Sequence, residues 1–355
     1  MDIMQLLEVT VINEASDLHL VVGSIPTLRV QGALVALPQT PALTVEVAKN
    51  LAFAMMTPEQ QQLFVNNREL DFSYQYQDKA RFRVNAYFQK GNVSLALRLI
   101  NAKVRTVDEL KLPAVCHEIT KLKQGFVLVT GPTGTGKSTS LAAMIEEINQ
   151  SRAVHILTIE DPIEYLYTPQ KSIISQREMN HDTHSWSGAL KSALREDPNV
   201  VLVGEMRDYE TIAAALTVAE TGHLVFATLH TNSAAQTIDR IIDVFPENQQ
   251  NQVRNQLASS IEAVFAQRLV PAVAGGRIPV MEVMLATSAV RNTIREGKNY
   301  QIDNIIQTSG GVGMMTLESS LAYWVKSNVI SNEVAREYAL RPDDLTRLLS
   351  KGTGT

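Results

Sequence analysis

The sequence predicts an α/β protein in two parts, a compact α+β domain over residues 1–100 and a larger α/β domain over 113–355, joined by a linker at 101–112. Three observations predict it. At 355 residues the chain is too long for one ordinary hydrophobic core. From residue 125 the apolar runs "GFVLVT", "VHILTI", "NVVLVG" and "HLVFATL" alternate with helical patterns, which is how a mainly parallel sheet covered on both faces reads. Between the first of those runs and an amphipathic stretch carrying Leu141, Met144, Ile145 and Ile148 stands "GPTGTGKST", a poor helix interior and a poor strand.

Taken in order, "SDLHLVVGSIPTLRVQGALVAL" alternates and breaks at Gly23, Pro26 and Gly32, predicting short antiparallel strands. The stretch "TVEVAKNLAFAMMTPEQQQLFVNN" has helical spacing broken at Pro58. Alternation returns in "ELDFSYQYQDKARFRVNAYFQKGNVSLALRLI" around a "QDKA" turn and Gly91. The linker "NAKVRTVDELKL" ends at Pro113. Beyond it, "HILTI" at 155–159 reads as a strand stopped by Pro162, and Val200–Val203 reads as a buried strand. His223 and His230 bracket a further strand, so at about 3.3 Å per residue they lie roughly 23 Å apart.

Composition narrows the function. Hydrophobic residues at 45% and charged residues at 19% describe a folded chain. A formal net charge of -5 gives no basic footprint for nucleic acid, which is disfavoured as a partner. The single cysteine, Cys116, excludes an internal disulfide and a cysteine-cluster zinc site, suits a cytoplasmic location, and is expected to pack as a small apolar residue. The N-terminus carries acids early and no basic segment before a long apolar run, so neither a signal peptide nor a membrane span is expected. Work at a membrane would need a partner to bring the chain there.

The glycine loop carries the first chemistry. Gly131, Pro132, Thr133, Gly134, Thr135, Gly136, Lys137, Ser138 and Thr139 match G-x-x-x-x-G-K-S/T, in which backbone N–H groups and a helix N-terminus surround phosphate oxygens. Lys137 would reach the β and γ phosphates of ATP, and the Ser138 hydroxyl would take a place on Mg2+. Glu205, just past the Val200–Val203 strand, would orient water or hold the cation's water shell. The aspartate that usually ends this strand is missing. "EDPIEY" puts Glu160, Asp161 and Glu164 at the same sheet edge, with Pro162 expected to turn Glu164 back toward the crevice. His230 is the candidate γ-phosphate sensor, whereas His223 is expected at a structural, domain or subunit contact. His181 and His184 in "NHDTH" have no companion ligand pattern and read as a solvated loop.

"SDLHL", "ARFRVNAYFQ", "LVTGPTGTGKSTSLAAMI", "HILTIEDPIEY", "SALREDPNVVLVGEMRDYETI", "ETGHLVFATLHTNSAAQTIDRIIDVFP" and "AVRNTIREGK" together resemble the type IV pilus retraction ATPases of the secretion ATPase superfamily. The resemblance runs from about residue 1 to 340, in order and nearly without gaps. It implies a PAS-like N-terminal domain, a RecA-like P-loop ATPase domain, and a homo-hexamer with ATP between neighbouring subunits. It further implies an inner-membrane pilus platform protein as partner, and a cytoplasmic protein peripheral to that membrane. On the same ground Glu164 is the functional acid of the Asp box, Glu205 the catalytic glutamate, and His223 and His230 the His box. "RFRVN" matches the strand that presents arginines toward nucleotide; by strand alternation Arg81 and Arg83 share a face, and Arg98 in "LALRLI" is a further candidate.

Pilus extension and type II secretion ATPases carry a tetracysteine insert and an extra N-terminal domain, which this chain does not match. The accessory retraction ATPase is the nearer alternative, and such a paralogue is a candidate partner; "GEMRDYE" and "AVRNTIRE" sit closer to the principal retraction motor. Val290 and Thr293 depart from its late-helix pattern, and His184 and Trp186 depart in the "REMNHDTHSW" loop. Two readings from other classes are a RecA-like nucleic-acid motor, opposed by the acidic balance, and a non-hydrolysing nucleotide-gated scaffold, opposed by the presence of both Glu164 and Glu205.

Overall fold

The computed structural model describes residues 2–30, 32–77, 79–100 and 104–350. Residues 101–103 of the expected linker and Asp78 of the "QDKA" turn lie outside the described residues. Contacts divide the chain into two compact units, Met1–Lys103 with Glu164–Leu166, and Val104–Ile163 with Tyr167–Thr355. Residues 104–112, expected as linker, fall in the second unit, and Val107, Leu110 and Leu112 are buried.

In the first unit, α1 (Ile3–Ile12) starts at Asp2, whose carboxylate accepts from the Gln5 N–H while the Gln5 side chain accepts from the Asp2 N–H. There follow β1 (Asp17–Leu20), β2 (Thr27–Val30), β3 (Ala33–Ala36), α2 (Val45–Phe53) and α3 (Pro58–Asn67). The proline foreseen as a break stands at the first position of α3, where its missing N–H costs no helical bond. The strands β4 (Glu69–Tyr76), β5 (Ala80–Gln89) and β6 (Asn92–Ile100) complete a six-stranded antiparallel sheet in the order β3-β2-β1-β6-β5-β4. Alternation decides its faces: Ala80, Phe82, Val84 and Ala86 of β5 join a core with Leu6, Leu18, Phe64 and Leu97, while Arg81, Arg83 and Asn85 take the other face.

The second unit runs α4 (Val115–Ile119), β7 (Gly125–Thr130), α5 (Lys137–Ser151), β8 (His155–Glu160), β9 (Ile173–Glu178), α6 (Trp186–Ala193), β10 (Val200–Val203), α7 (Tyr209–Glu220), β11 (Leu224–Leu229), α8 (Ala234–Asp243), α9 (Glu247–Ser260), β12 (Ile261–Pro271) and β13 (Arg277–Leu285). Its seven-stranded sheet has the order β13-β12-β7-β11-β10-β8-β9, parallel throughout except for the β12–β13 pair. Every residue of β7, β10 and β11 is buried, which explains why these strands read as continuous apolar runs. Because β7, β11, β10 and β8 are parallel neighbours, the loops after them share one edge.

The chain ends in α10 (Ser288–Arg295), α11 (Ile302–Thr308), α12 (Leu317–Lys326), α13 (Asn332–Tyr338) and α14 (Pro342–Ser350). A second small core, including Val270, Val280, Leu321 and Leu345, fixes the last helices onto the β12–β13 hairpin. The divergent late helix is α10, with Val290 and Thr293 both on its buried side. Its Arg291 donates to Glu262 at 2.8 Å and to the carbonyls of Ala258, Ser259 and Ala286. Cys116 is buried as expected, and burial, with the charge of Glu147, pushes its thiol up to about 12.

Candidate active site

The loop between β7 and α5 is shaped by three glycines with positive φ, Gly131 (141°), Gly134 (81°) and Gly136 (84°). Side chains have no room at the first: a Cβ on Gly131 would stand 2.2 Å from the carbonyl oxygen of Gln267. At Gly134 nothing lies within 4 Å of the corresponding point, so this stretch of backbone is open. Buried Lys137, the first residue of α5, turns back to donate its Nζ to the carbonyls of Gly131 at 2.7 Å and Pro132 at 3.0 Å. Its ammonium is therefore held inside the loop's curve. Ser138 and Thr139 follow, half-buried, in the first turn of α5.

Glu205 lies where the strand reading placed it, two residues past β10. The turn carrying it is stitched to β11 on both sides, since Thr228 Oγ1 donates to the Gly204 carbonyl and the Met206 N–H donates to the Thr228 carbonyl. Both carboxylate oxygens are engaged. His230, the residue after β11 and the one before Thr231, donates from Nε2 to Oε1 at 2.8 Å, and Arg207 donates from Nη2 to Oε2 at 2.9 Å. A carboxylate only accepts, so Nε2 of His230 carries the proton. Burial by itself would raise the Glu205 carboxyl, but the hydrogen bond and charge of Arg207, followed by those of His230, outweigh it and hold the group below the usual carboxylate range. Arg207 is raised in turn by Glu205, with a smaller contribution from Asp161 of the "EDPIEY" segment.

The remaining expected site residues lie on several elements. Glu164–Leu166 groups with the first unit, while Ile163 and Tyr167 on either side belong to the second. Buried Glu178 fixes the start of that segment by accepting from the Ile163 N–H. Glu160 is buried at the end of β8 and accepts from Thr158 Oγ1 at 2.7 Å. His223 is far along β11 from His230 and has a local partner, donating from Nδ1 to the Val218 carbonyl in the last turn of α7 at 2.9 Å. His181 pairs with its neighbour Asp182 at 3.0 Å, and His184 is exposed. Among the described residues no group of three or more His, Cys, Asp or Glu could hold a metal ion. Arg81 and Arg83 do share the face of β5 opposite its core, with Arg83 directly across from Arg98. Arg98 is committed to Asp17 at 2.9 Å.

Two residues that the sequence pattern does not mark, Arg207 and Gln267, reach the site, and a third, Trp186, is marked there without a role. Arg207 stands two letters after Glu205, and only its side-chain direction reveals the pair. Gln267 in β12 donates from Nε2 to the Thr135 carbonyl and accepts from Ser140 Oγ, both at 2.7 Å, although more than a hundred residues separate it from the loop. Trp186, singled out as unfamiliar, begins α6 and packs on the core beneath the Glu205 turn. A Cβ at Gly204 would stand 3.3 Å from the Glu160 Cα and 3.5 Å from the Trp186 ring.

The family model for type II/IV secretion system protein matches residues 1–336. A Pseudomonas aeruginosa protein named "Type IV pilus retractation ATPase PilT" is 47% identical over 344 residues, covering 97% of this chain and all of that protein at 100%. A Neisseria gonorrhoeae "Twitching motility protein" is 46% identical, with 90% of this chain and 86% of that protein covered. The P. aeruginosa "Type IV pilus ATPase PilU" is more distant at 38% identity, with 99% and 92% covered. A crystal structure of the pilus retraction motor PilT with bound ADP superposes with a TM-score of 0.91 at 43% identity, covering 98% of this chain and 99% of that one.

Proposed function

The chain belongs to the type II/IV secretion system protein family, and on that premise we propose that it is a P-loop ATPase that drives type IV pilus retraction, with each ATP site completed by a neighbouring subunit of a ring. The observation that carries the chemistry is the Glu205 carboxylate, held between His230 and Arg207 on the sheet edge that also bears the glycine loop. The near-complete match to a retraction ATPase, closer than the match to PilU, supports the motor role over the accessory one.

ATP would bind with its phosphates against the backbone N–H groups of residues 131–139 and the N-terminus of α5. Lys137 would exchange its two loop carbonyls for the β and γ phosphate oxygens, a stronger charge-assisted partner. Mg2+ bound with the nucleotide would be held by the Ser138 hydroxyl together with the phosphates, neutralising charge on the β and γ oxygens. That fits a chain without an all-protein cation cage among its described residues, since Mg2+ keeps several waters and takes substrate phosphates as ligands.

Glu205, kept ionised by its two partners, accepts a hydrogen bond from the attacking water and orients it toward the γ-phosphoryl group. His230 holds that carboxylate and senses the phosphoryl group's departure. Glu164 assists from its own segment. Arg81 and Arg83 of a neighbour's β5 spread the charge that develops on the transferring group, a contribution worth about 10³ or more in rate.

A ring of six, an inner-membrane platform protein and a PilU-like paralogue as co-worker belong to the same proposal. No helix among the described residues is long and apolar enough to cross a membrane, so the platform protein would bring the motor to the inner membrane. The test is genetic. Deleting the gene should leave pili on the surface and abolish twitching, and restoring the wild-type gene, but not Glu205→Gln, should return motility. Twitching in the deletion strain with normal pilus numbers would refute the retraction role.

A further inference from the structure

The phosphate loop is not held by its own residues alone. β12 lies parallel to β7, with Ala266 opposite Thr130, the last residue of β7. Gln267 is therefore the first β12 residue beyond the paired end of β7, at the level where the loop begins. Its side chain is buried at 2% exposure and reaches along the loop, donating to the Thr135 carbonyl and accepting from Ser140 Oγ. The Thr135 carbonyl can only accept, which fixes the amide orientation, NH2 toward the loop and oxygen toward α5. Its main chain also bounds the loop, because the carbonyl oxygen of Gln267 fills the space that a side chain at Gly131 would need.

We propose that Gln267 is a positioning residue for the nucleotide, a brace that sets the direction of the loop's N–H groups. The physical reason lies in the trans peptide, whose C=O and N–H point in opposite directions. Holding the Thr135 carbonyl toward Gln267 of β12 aims the N–H of the same peptide, that of Gly136, away from Gln267. Gly136, with φ at 84°, has no side-chain bulk to restrain that peptide plane, so an external hydrogen bond is needed to stop it from rotating. A buried amide does this better than water, because a wrongly rotated peptide would leave both the carbonyl and the Gln267 NH2 without partners. The Ser140 bond serves a different purpose, fixing the brace to the second turn of α5.

This inference rests on reading the loop as a nucleotide site, and the experiment separates the two. Full-length wild type, Gln267→Leu, Gln267→Asn and Ser140→Ala are compared by fluorescence titration with a labelled ADP in the presence of Mg2+, by KM and kcat for ATP, and by thermal melting. Wild-type ADP binding establishes the site; if wild type binds none, the functional reading fails and the brace with it. With wild type binding, Gln267→Leu, which keeps the volume and loses the amide, is expected to weaken ADP and raise KM about three- to tenfold, with a smaller change in kcat. Ser140→Ala keeps the Thr135 bond and should change both by less than about twofold. An affinity for Gln267→Leu within about twofold of wild type overturns the proposal. Equal losses in Gln267→Leu and Ser140→Ala do so too, by assigning the effect to the seating of α5. Gln267→Asn, one carbon too short to span both partners, carries the same two outcomes should the leucine variant fail to fold.

Discussion

Glu205 is the side chain on which turnover should depend most, because its two partners leave the carboxylate ionised and aimed. Glu205→Gln keeps the shape, removes the charge and should lower kcat by about 10² or more while ATP binding survives, as equilibrium binding and steady-state hydrolysis would measure side by side. Turnover within a few-fold of wild type would shift the role to Glu164. Arg207 tests the same site through pH. With the Glu205 carboxyl held low, the anion to which the proposal gives the water-orienting role persists as pH falls below the ordinary carboxylate value of 4.5. The group's stabilising contribution is likewise present above its unfolded value and is lost as pH falls through the depressed folded value. Arg207→Met removes the larger of the two lowering partners, so the acid limb of the kcat profile should move to higher pH; an unmoved limb would mean that Arg207 does not tune Glu205. At this scale the sequence was partly legible. The phosphate loop and Glu205 are contiguous patterns with fixed offsets from a strand, whereas the Glu205–Arg207 pair depends on a side-chain direction that spacing does not encode. The grouping of Glu164 with the first unit is not encoded for a related reason, since nothing periodic governs a chain after Pro162.

Elements explain how the site stays in place. The strands β7, β10 and β11 announced themselves because burial on both faces makes them apolar throughout, and the alternation of β5 gave the shared face of Arg81 and Arg83 directly. The β12–β13 hairpin went unread, although it braces two functional loops. Gln267 reaches the phosphate loop, and Glu282 of β13, buried, accepts from the Ala234 N–H at 2.8 Å, the first residue of α8 and four beyond His230. Burial foremost pushes the Glu282 carboxyl up; the Ala234 N–H and Arg341 oppose that, while Asp303 and Glu318 add to it. Arg341 is the cation shared by this cluster, lying 3.7 Å from Glu282, 3.3 Å from Glu318 and 3.2 Å from Asp303. Arg341→Met should therefore cost about 2 kcal/mol, below the usual figure for a buried pair because a third of the arginine side chain meets solvent. The sign follows from the raised carboxyl: its cost is felt while it is ionised and is relieved by protonation, so the loss of melting temperature should be larger above neutrality than in mild acid. A loss independent of pH would show that Arg341 acts by packing rather than by charge.

At the scale of the whole molecule, the residues of the proposed ATP site fall in two units of the chain. The second unit holds the glycine loop, Glu205 and His230, and the first carries the β5 arginines. The two-part organisation is written in the length and in the change of hydrophobic period, whereas 104–112 looks polar in sequence although Val107, Leu110 and Leu112 are buried in a stretch that groups with the second unit. The central claim is that one subunit's glycine loop works with another's Arg81 and Arg83. Its most direct test is to mix Arg81→Ala, Arg83→Ala protein with an excess of Lys137→Ala protein, each inactive alone, and measure steady-state ATP turnover after subunit exchange has been verified by fluorescence transfer. A mixed ring can then pair an intact Lys137 with an intact arginine strand, and the account predicts that turnover reappears and rises with the proportion of mixed rings. Silence across the mixing series, with exchange verified, would contradict it and return those arginines to a structural role on their own sheet.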